Sequence, residues 1–312
     1  MSDSSASLPA FDPARPVAMI GMGTMGTKVA WACARAGLET RCYDIAGEDA
    51  LTAARARALG WSEGEEQERV AAHLHVTADL DNALDGVQLA FENVYELIDL
   101  KRRTHADLGG RLPTACYLGS NASSLPATPI AEASGRPDRF FCLNFSDPRT
   151  GRLVELMGAD RMAPETAVFA QAWARHIGMV PVHCRKEQMG YVFNRIWRVI
   201  KKEVLRQIAE GYADAESIDR AWRLAFGTDF GPCSLMDEIG LGSVLKIEHA
   251  YADESGDPSD RPPTFLEAWV AEGRLGIASG EGFYRYPDPT FAREGWLDGE
   301  GTAAATKGTS TI

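Results

Sequence analysis

Three glycines near the start of the chain have the spacing of a phosphate-binding loop. Gly21, Gly23 and Gly26 form the pattern G-x-G-x-x-G between a short apolar run and a helical pattern. In such a loop the first glycine permits a tight turn, the second lets backbone approach a pyrophosphate, and the third lets the helix pack closely. Thr24 and Met25 complete the loop. The five residues are therefore predicted to bind a dinucleotide.

An acidic residue follows this loop at the position expected for ribose recognition. Asp44 ends the next strand-like run after the helical pattern. A carboxylate there can accept a hydrogen bond from a ribose 2′-hydroxyl, and its charge repels a 2′-phosphate. The order of strand, loop, helix, strand and acid predicts NAD, rather than NADP, as the cofactor.

A second group of polar residues lies between two apolar runs, FFCL and LVELM. Asn144, Asp147, Arg149 and Arg152 fall between or beside these runs, and the second run holds a single acid, Glu155. Carboxylates can transfer protons, an amide can hold an oxygen, and arginine binds carboxylates or phosphates through two parallel hydrogen bonds. The segment is a candidate floor for an active site.

The elements around these residues alternate between strand and helix. Short apolar runs separated by helical segments predict an α/β, Rossmann-type dinucleotide-binding domain with a largely parallel sheet over residues 15–187. Helical periodicity then dominates, which predicts an all-α C-terminal dimerisation domain over residues 188–290. The polar ends, residues 1–14 and 291–312, are predicted to be disordered tails.

Composition excludes several classes of function. The net charge is −12, so nucleic acid is not an expected partner, because phosphate binding needs a basic face. No apolar run approaches the roughly 20 residues of a membrane span. The six cysteines are widely spaced and form no C-x-x-C pair, which predicts reduced thiols, no metal site and a cytoplasmic location.

Several further segments resemble the 3-hydroxyacyl-CoA dehydrogenase family. They are the segments FENVYELIDLK, SNASSL, GYVFNR, GPCSLMDEIGL and SGEGFYRY. Together with the glycine loop, they extend the resemblance from about Val17 to Tyr286, nearly the whole chain. The resemblance implies an NAD-binding domain followed by a helical domain that forms a homodimer. It also implies NAD-linked oxidation of a secondary alcohol, in which a histidine removes the hydroxyl proton.

The resemblance assigns roles to individual residues. Ser123 and Asn194 correspond to residues that hold the substrate oxygen, and Glu155 corresponds to the glutamate that orients the histidine. Glu96 and Lys101 match positions that contact the ribose on the nicotinamide side. Ser123 is also expected to lie against the cofactor.

The chain departs from the family at the histidine. The family's segment HFFNP reads NFSDP here, so Asn144 stands in place of the histidine and Asp147 in place of an asparagine. An amide has no useful pKa and cannot act as a general base, although it can hold an oxygen. Loss of the base would lower the rate by about 10²–10⁴. None of the six histidines is an obvious substitute.

Two carboxylates could replace the missing base. Asp147 is the first candidate, because a carboxylate between an apolar strand and a bound nicotinamide is expected to have a raised pKa. Glu155 is the second, acting directly or through a water. The alternative for Asp147 is a turn residue before Pro148. The alternative for Glu155 is an ion pair with Arg152.

The predicted substrate differs from that of the family. Arg149 and Arg152 would suit a small acidic substrate, with solvated loop arginines as the alternative. The helical hairpin after Asp44 is about two turns shorter than the one that holds CoA in the family. Its tip, SEGEEQE, carries four acids and no base, which would repel the negative charges of CoA.

Three hypotheses follow. The first is an NAD-dependent oxidoreductase acting on a small polar or carboxylated alcohol or aldehyde. The second is a true 3-hydroxyacyl-CoA, or carrier-tethered, dehydrogenase in which Asn144 is engineered or compensated. The third is an NAD-binding protein, or a redox-neutral enzyme, without dehydrogenase turnover. A small-molecule substrate and a homodimer are the expected partners.

Overall fold

The short apolar runs form one eight-stranded sheet in the computed structural model, which describes residues 8–299. The strand order is β3-β2-β1-β4-β5-β6-β7-β8. The strands are β1 (Val17–Ile20), β2 (Thr40–Tyr43), β3 (Leu74–Val76), β4 (Leu89–Glu92), β5 (Tyr117–Ser120), β6 (Phe140–Phe145), β7 (Leu153–Gly158) and β8 (Val180–Cys184).

Every neighbouring pair in the sheet is parallel except β6 and β7, which are antiparallel. Parallel strands need a long crossover, whereas the short segment between β6 and β7 can reverse the chain directly. The reversal pairs Asn144 with Glu155 across the two strands. Two polar residues that are eleven positions apart in sequence therefore become neighbours.

Helices cover both faces of this sheet, which explains why β1, β4 and β5 are fully buried and read as continuous apolar runs. The helices of this part are α1 (Thr24–Arg35), α2 (Glu48–Leu59), α3 (Gly64–His73), α4 (Leu80–Leu84), α5 (Ile98–Arg111), α6 (Thr128–Ala133) and α7 (Pro164–His176). The prediction of an α/β domain with a largely parallel sheet is confirmed.

The chain divides into two compact units, residues 1–194 and 195–312. The second unit contains most of α8 (Phe193–Ala209), followed by α9 (Ala215–Phe226), α10 (Pro232–Ile239), α11 (Leu241–Ser255) and α12 (Thr264–Ala271). Its core is formed by apolar side chains of these helices and of the segment after α12, which contributes Tyr284. The predicted helical character of this half is confirmed.

Two buried acids explain the sequence motifs of the helical unit. Asp219 accepts hydrogen bonds from the amides of Cys233 and Ser234, at 2.7 and 2.8 Å, at the beginning of α10. Asp237 accepts from the amides of Phe283 and Tyr284, at 2.8 and 2.9 Å. The segments GPCSLMDEIGL and SGEGFYRY are therefore structural elements, in which carboxylates replace missing backbone partners.

The prediction of a disordered N-terminal tail is wrong for residues 8–14. The Tyr117 hydroxyl donates to the carbonyl of Pro9 at 2.8 Å, and the Gln88 amide donates to the carbonyl of Asp12 at 2.6 Å. Phe11 packs against the core of the sheet. Polar composition concealed these contacts, because their partners lie far away in sequence. Residues 1–7 lie outside the described part of the chain.

The predicted C-terminal tail is likewise ordered over residues 291–299. Trp296 is buried, and its carbonyl accepts a hydrogen bond from Arg220 Nε at 2.9 Å. The Arg220 guanidinium also lies 4.5 Å from the centre of the Trp296 ring. Residues 300–312 lie outside the described part. Within residues 8–299, no helix has both the length and the apolar character needed to cross a membrane.

Candidate active site

The glycine loop connects β1 to α1, and each glycine has a distinct steric reason. Gly21 has φ of +90°, a conformation that favours glycine. A Cβ on Gly26 would lie 1.9 Å from the carbonyl oxygen of Gly21, so the third glycine is required for loop and helix to pack. A Cβ on Gly23 would meet nothing within 4 Å. That open, exposed position leaves backbone free for a ligand, as a pyrophosphate cradle requires.

Asp44 lies beside the loop. Its Oδ2 accepts a hydrogen bond from the amide of Met22 at 2.6 Å, and its Oδ1 accepts from the amide of Ala46 at 2.9 Å. The carboxylate therefore both closes the loop and sits next to it at the end of β2. Loop, helix N-terminus and acid together fit NAD, with Thr24 and Met25 in the first turn of α1.

Asn144 and Glu155 form a hydrogen-bonded pair on β6 and β7. Asn144 Nδ2 donates to Glu155 Oε2 at 3.1 Å, while Glu155 Oε1 accepts from the amides of Val192 and Phe193, at 3.0 and 2.7 Å. Glu155 is almost completely buried. An ionised carboxylate can only accept, so the pairing fixes the Asn144 amide with its nitrogen toward Glu155. The carbonyl oxygen of Asn144 and one N–H remain for a ligand.

The segments that carry Asn194 and Ser123 are connected to this pair by hydrogen bonds. Asn194 directly follows Phe193, in the first turn of α8. The Tyr191 hydroxyl donates to the carbonyl of Ala122 at 2.6 Å, which ties the segment before α8 to the residue before Ser123. The structure thus brings together the segments that carry Ser123, Asn144, Glu155 and Asn194.

Glu96 organises the loop that carries Ser123. Its Oε1 accepts hydrogen bonds from the amides of Ser123 and Ser124, both at 2.7 Å, and from the amide of Leu125 at 3.3 Å. Three consecutive N–H groups on one carboxylate oxygen form an anion-binding turn. Ser123 is exposed, and its Oγ donates to the same Glu96 oxygen at 3.4 Å.

Lys101 lies deeper than a direct cofactor contact requires. Its side chain is fully buried, and Nζ is 2.8 Å from Glu92 Oε1, 3.2 Å from the carbonyl of Val94 and 3.5 Å from Glu96 Oε2. The ammonium therefore reaches the site surface only through Glu96. The role of Lys101 at the ribose stays a prediction.

Asp147 does not have the properties predicted for a base. Two hydrogen bonds from the Arg149 guanidinium, at 3.1 and 2.7 Å, lower the pKa of Asp147 well below its usual range, and Lys28 at 2.8 Å lowers it further. The prediction of a raised pKa is wrong, because it assumed burial without a partner. The Arg149 amide also donates to Asp147 Oδ1 at 3.0 Å, so the alternative of a turn residue holds.

The two arginines of this turn have different surroundings. The Arg149 guanidinium lies 4.6 Å from the centre of the Trp61 ring, between α2 and α3, while it is paired with Asp147. Arg152 is exposed and donates from Nε to the carbonyl of Gly178 at 3.3 Å. The alternative for Glu155, an ion pair with Arg152, is therefore wrong, since this acid is hydrogen-bonded to Asn144 and to the backbone.

Sequence reasoning gave no role to Lys28, Trp61, Tyr191 or His105. For Lys28 the available signal was its place on α1, just after the glycine loop, where a charged side chain can reach the ends of neighbouring strands. Trp61 carried no signal, because its partner Arg149 is remote in sequence. Across residues 8–299, no group of three or more His, Cys, Asp or Glu side chains is arranged to hold a metal ion.

Comparison with known families agrees with this geometry. The sequence profile described as "3-hydroxyacyl-CoA dehydrogenase, NAD binding domain" matches residues 16–188, and that of the "3-hydroxyacyl-CoA dehydrogenase, C-terminal domain" matches residues 190–286. The chain belongs to the 3-hydroxyacyl-CoA dehydrogenase family. It is an NAD-dependent oxidoreductase by class, and the NAD-binding domain of the family includes the glycine loop.

Relatives in the family carry different names. A probable 3-hydroxybutyryl-CoA dehydrogenase of Deinococcus radiodurans is 33% identical over 86% of this chain and 99% of its own length. A 5-formyl-3-hydroxy-2-methylpyridine 4-carboxylate 5-dehydrogenase of Mesorhizobium japonicum is 29% identical over 89% of this chain and 93% of its own. A solved structure of a diketoreductase that acts on dicarbonyl compounds is 30% identical, covers 88% of this chain and 100% of its own, and superposes with a TM-score of 0.79.

Proposed function

We propose that the chain is an NAD-dependent oxidoreductase acting on a small polar or carboxylated alcohol or aldehyde, rather than on a long acyl-CoA. The observation that carries this proposal is the cationic group beside the Asn144–Glu155 pair. Lys28 and Arg149 share the single carboxylate of Asp147, which leaves one positive charge in excess. Asp147 is three residues from Asn144, a span of at most about 10 Å.

The excess charge favours an anionic substrate group near the reacting carbon. Arginine stacked on an aromatic ring keeps its edge free for bidentate binding of a carboxylate. The face of Arg149 lies on Trp61 and its Nε–Nη2 edge is held by Asp147, so the Nη1–Nη2 edge would bind a substrate carboxylate. A planar acid of small size would fit such a group.

The acidic charge of the helical hairpin formed by α2 and α3, which contains Trp61, disfavours the binding of CoA. The first turn of α3 and its flanks carry four acids, Glu63, Glu65, Glu66 and Glu68. CoA presents several phosphate charges, and like charges at an interface cost affinity. The names of the Mesorhizobium relative and of the diketoreductase give further support, since neither mentions a CoA ester.

In this proposal, none of the residues that hold the substrate oxygen is a strong base. Ser123, Asn144 and Asn194 hold the substrate oxygen through hydrogen bonds, and Glu155 fixes the amide of Asn144. When bound, NAD supplies a hydride acceptor or donor at the substrate carbon. Asp147 is held ionised by Arg149 and Lys28, and Glu155 already accepts three hydrogen bonds. The proton therefore passes to water, which reaches the oxygen more readily around a small substrate.

A true 3-hydroxyacyl-CoA dehydrogenase is the second candidate. The Deinococcus relative favours it, as does Glu155, which keeps the position from which it could orient an imidazole at residue 144. In that case the chain would bind CoA substrates and turn them over slowly.

Steady-state kinetics with Arg149 variants test the proposal. The chain is assayed with NAD on small hydroxy acids and aldehydes and on a short 3-hydroxyacyl-CoA. Arg149→Gln should raise KM for the carboxylated substrate about tenfold or more, as expected for a lost charge-assisted hydrogen bond. Arg152→Gln is the matched control and should change KM less than about twofold, because Arg152 is directed to Gly178. Faster turnover of the CoA ester than of every small acid would overturn the proposal.

We propose in addition that the protein is a cytoplasmic homodimer. On α8 the side chains of Phe193, Ile196 and Val199 repeat at helical spacing and are 48%, 57% and 65% exposed. Such an apolar stripe favours burial against a second copy. The six cysteines are unbonded and buried, which supports a reducing compartment. Light scattering of the full chain tests the oligomeric state.

A further inference from the structure

A buried cluster of charged and polar side chains lies beneath the serine loop, residues 121–125. Its members are Glu92 at the end of β4, Ser120 at the end of β5, and Lys101 and His105 on α5. All four side chains are fully buried. Buried charges are costly unless they are paired, so their arrangement needs a physical reason.

Glu92 is the centre of this cluster. Its Oε1 accepts from the amide of Val94 at 2.5 Å and from Lys101 Nζ at 2.8 Å. Its Oε2 accepts from Ser120 Oγ at 2.7 Å and lies 3.2 Å from His105 Nε2. Burial alone raises the pKa of Glu92, but the hydrogen bond from His105 and the charge of Lys101 outweigh it and lower the pKa below its ordinary value. Glu92 is therefore an ionised acceptor with four donors.

His105 must donate from Nε2, because the carboxylate opposite it can only accept. Its other nitrogen, Nδ1, is buried and has no hydrogen-bond partner in the described part of the chain. The imidazole also contacts the Phe140 ring edge-on at 5.0 Å. An unsatisfied nitrogen in a core position is unfavourable, so packing alone would favour an apolar side chain there.

The cluster is connected to the surface through Lys101. The ammonium lies between Glu92 at 2.8 Å and Glu96 at 3.5 Å, and Glu96 holds the amides of Ser123, Ser124 and Leu125. Glu92 holds the beginning of the same loop through Ser120. Two carboxylates thus anchor the two ends of the serine loop, and one ammonium joins the carboxylates.

We propose that His105 is a positioning residue for Ser123. By donating a hydrogen bond to Glu92, His105 stabilises part of the negative charge of Glu92 that Lys101 would otherwise stabilise. Lys101 then remains within reach of Glu96, and Glu96 keeps the serine loop in the conformation that presents the Ser123 hydroxyl. The catalytic consequence rests on the proposed function, in which Ser123 holds the substrate oxygen; the structural part does not.

Hydrogen–deuterium exchange of the full chain tests this without any substrate. His105→Gln keeps a donor near the position of Nε2, whereas His105→Asn is too short to reach Glu92. Amides in the peptide covering residues 121–125 should exchange about tenfold faster in His105→Asn, as expected for a lost hydrogen bond to a charged group. In His105→Gln they should stay within about twofold of the unaltered chain.

Two references separate this effect from general destabilisation. The peptide containing β1 reports on the core of the sheet and should be unchanged in both variants. His75→Gln, on the exposed side of β3, should leave the serine loop unaffected. Equal exchange in the Asn and Gln variants, or a change that is no larger in the loop than in β1, would overturn the proposal.

Kinetics then connect the loop to turnover. With whichever substrate the chain accepts, His105→Asn should lower kcat about tenfold and His105→Gln should restore it, because a misplaced catalytic group costs rate rather than substrate affinity. If no substrate of the tested panel turns over, the proposed function fails while the exchange result stands alone.

Discussion

The glycine loop after β1 and the turn between β6 and β7 lie at the same edge of one sheet, yet they are determined in different ways. The conformation of the loop depends on its backbone. A Cβ on Gly26 would collide with the carbonyl oxygen of Gly21, whereas a Cβ on Gly23 would meet nothing within 4 Å. The turn depends on which partner each polar side chain takes, for example Asp147 with Arg149 and Lys28. Backbone requirements follow from residue type, whereas side-chain partners follow from the tertiary fold.

We call the glycine loop the cofactor end of the site, and the strands β6 and β7 with the turn between them the reaction end. The cofactor end keeps the steric features of a dinucleotide site, and the chain belongs to an NAD-dependent family. The reaction end keeps Glu155, the glutamate that the family resemblance implies, but this glutamate accepts a hydrogen bond from the Asn144 amide. Mutations at the cofactor end should therefore change NAD affinity, whereas mutations at the reaction end should change kcat or the KM for the substrate.

The largest effect is expected at Asn144. An imidazole at residue 144 can donate to Glu155 Oε2 as the amide now does, which would leave its other nitrogen as a general base. Asn144→His should raise kcat on a short 3-hydroxyacyl-CoA by about 10² or more. Steady-state assays of NAD reduction measure this, with Asn144→Gln as the control that supplies an amide without a base.

The same two variants can also contradict this interpretation of Asn144. If Asn144→His gives no gain on the CoA ester and abolishes turnover of a small acid, the amide belongs to a chemistry of its own, and the reaction end is not a family site that lacks its base. Equal gains in the His and Gln variants would point to altered packing rather than to proton transfer.

The next effect is expected in the glycine loop. Gly26→Ala places a methyl group 1.9 Å from the carbonyl oxygen of Gly21, so the loop must shift and the apo protein should also lose stability. NAD affinity, measured by calorimetry, should fall by about tenfold or more, as expected when backbone hydrogen bonds to a charged pyrophosphate are lost.

Gly23→Ala is the matched control for this prediction. Its added methyl group meets nothing within 4 Å in the protein, so the thermal midpoint of the apo chain should stay the same while NAD affinity falls. If Gly23→Ala binds NAD as tightly as the unaltered chain, the open space at Gly23 is not the pyrophosphate cradle.

The features that the sequence could predict follow the same division between backbone requirements and side-chain partners. Strand β1, the glycine loop and Asp44 belong to one strand–helix–strand unit, and local spacing was sufficient to predict their arrangement. The pairing of Asn144 with Glu155 required knowing that β6 and β7 are antiparallel neighbours. Residue spacing alone does not contain that register, although the family resemblance pointed to both residues.

Three features were misjudged, and for each of them a partner that lies far away in sequence was missed. Residues 8–14 looked disordered because their partners, Gln88 and Tyr117, are about 75 to 110 positions away. The pKa of Asp147 was predicted to be raised because Lys28 is remote in sequence and because Arg149 was considered only as a substrate ligand. Trp61 was overlooked for the same reason as Lys28. Local composition describes solvation well and long-range pairing poorly.

The smallest effect is expected at Asp147, and it tests whether the turn is electrostatic support or chemistry. The folded-state pKa of Asp147 lies below its ordinary value of 3.8, so the stabilisation is fully present above that value and is lost as pH falls through the folded pKa. Asp147→Asn should reduce the free energy of unfolding by about 1 kcal/mol at neutral pH, because the pair is partly exposed. Denaturant titrations should show this difference shrinking below about pH 4.

The rate of the same variant decides the role of the carboxylate. If Asp147 only holds Arg149 and Lys28, Asp147→Asn should change KM for a carboxylated substrate while the shape of the pH–rate profile between about pH 6 and 9 stays the same. If Asp147 were the base, kcat would fall by about 10²–10⁴. Asp99→Asn, which removes the exposed partner of Arg102 on α5, is the control for a surface ion pair and should change neither quantity. A large fall in kcat restricted to Asp147→Asn would mean that the carboxylate leaves its two cations during turnover, and the reaction end would then have its base after all.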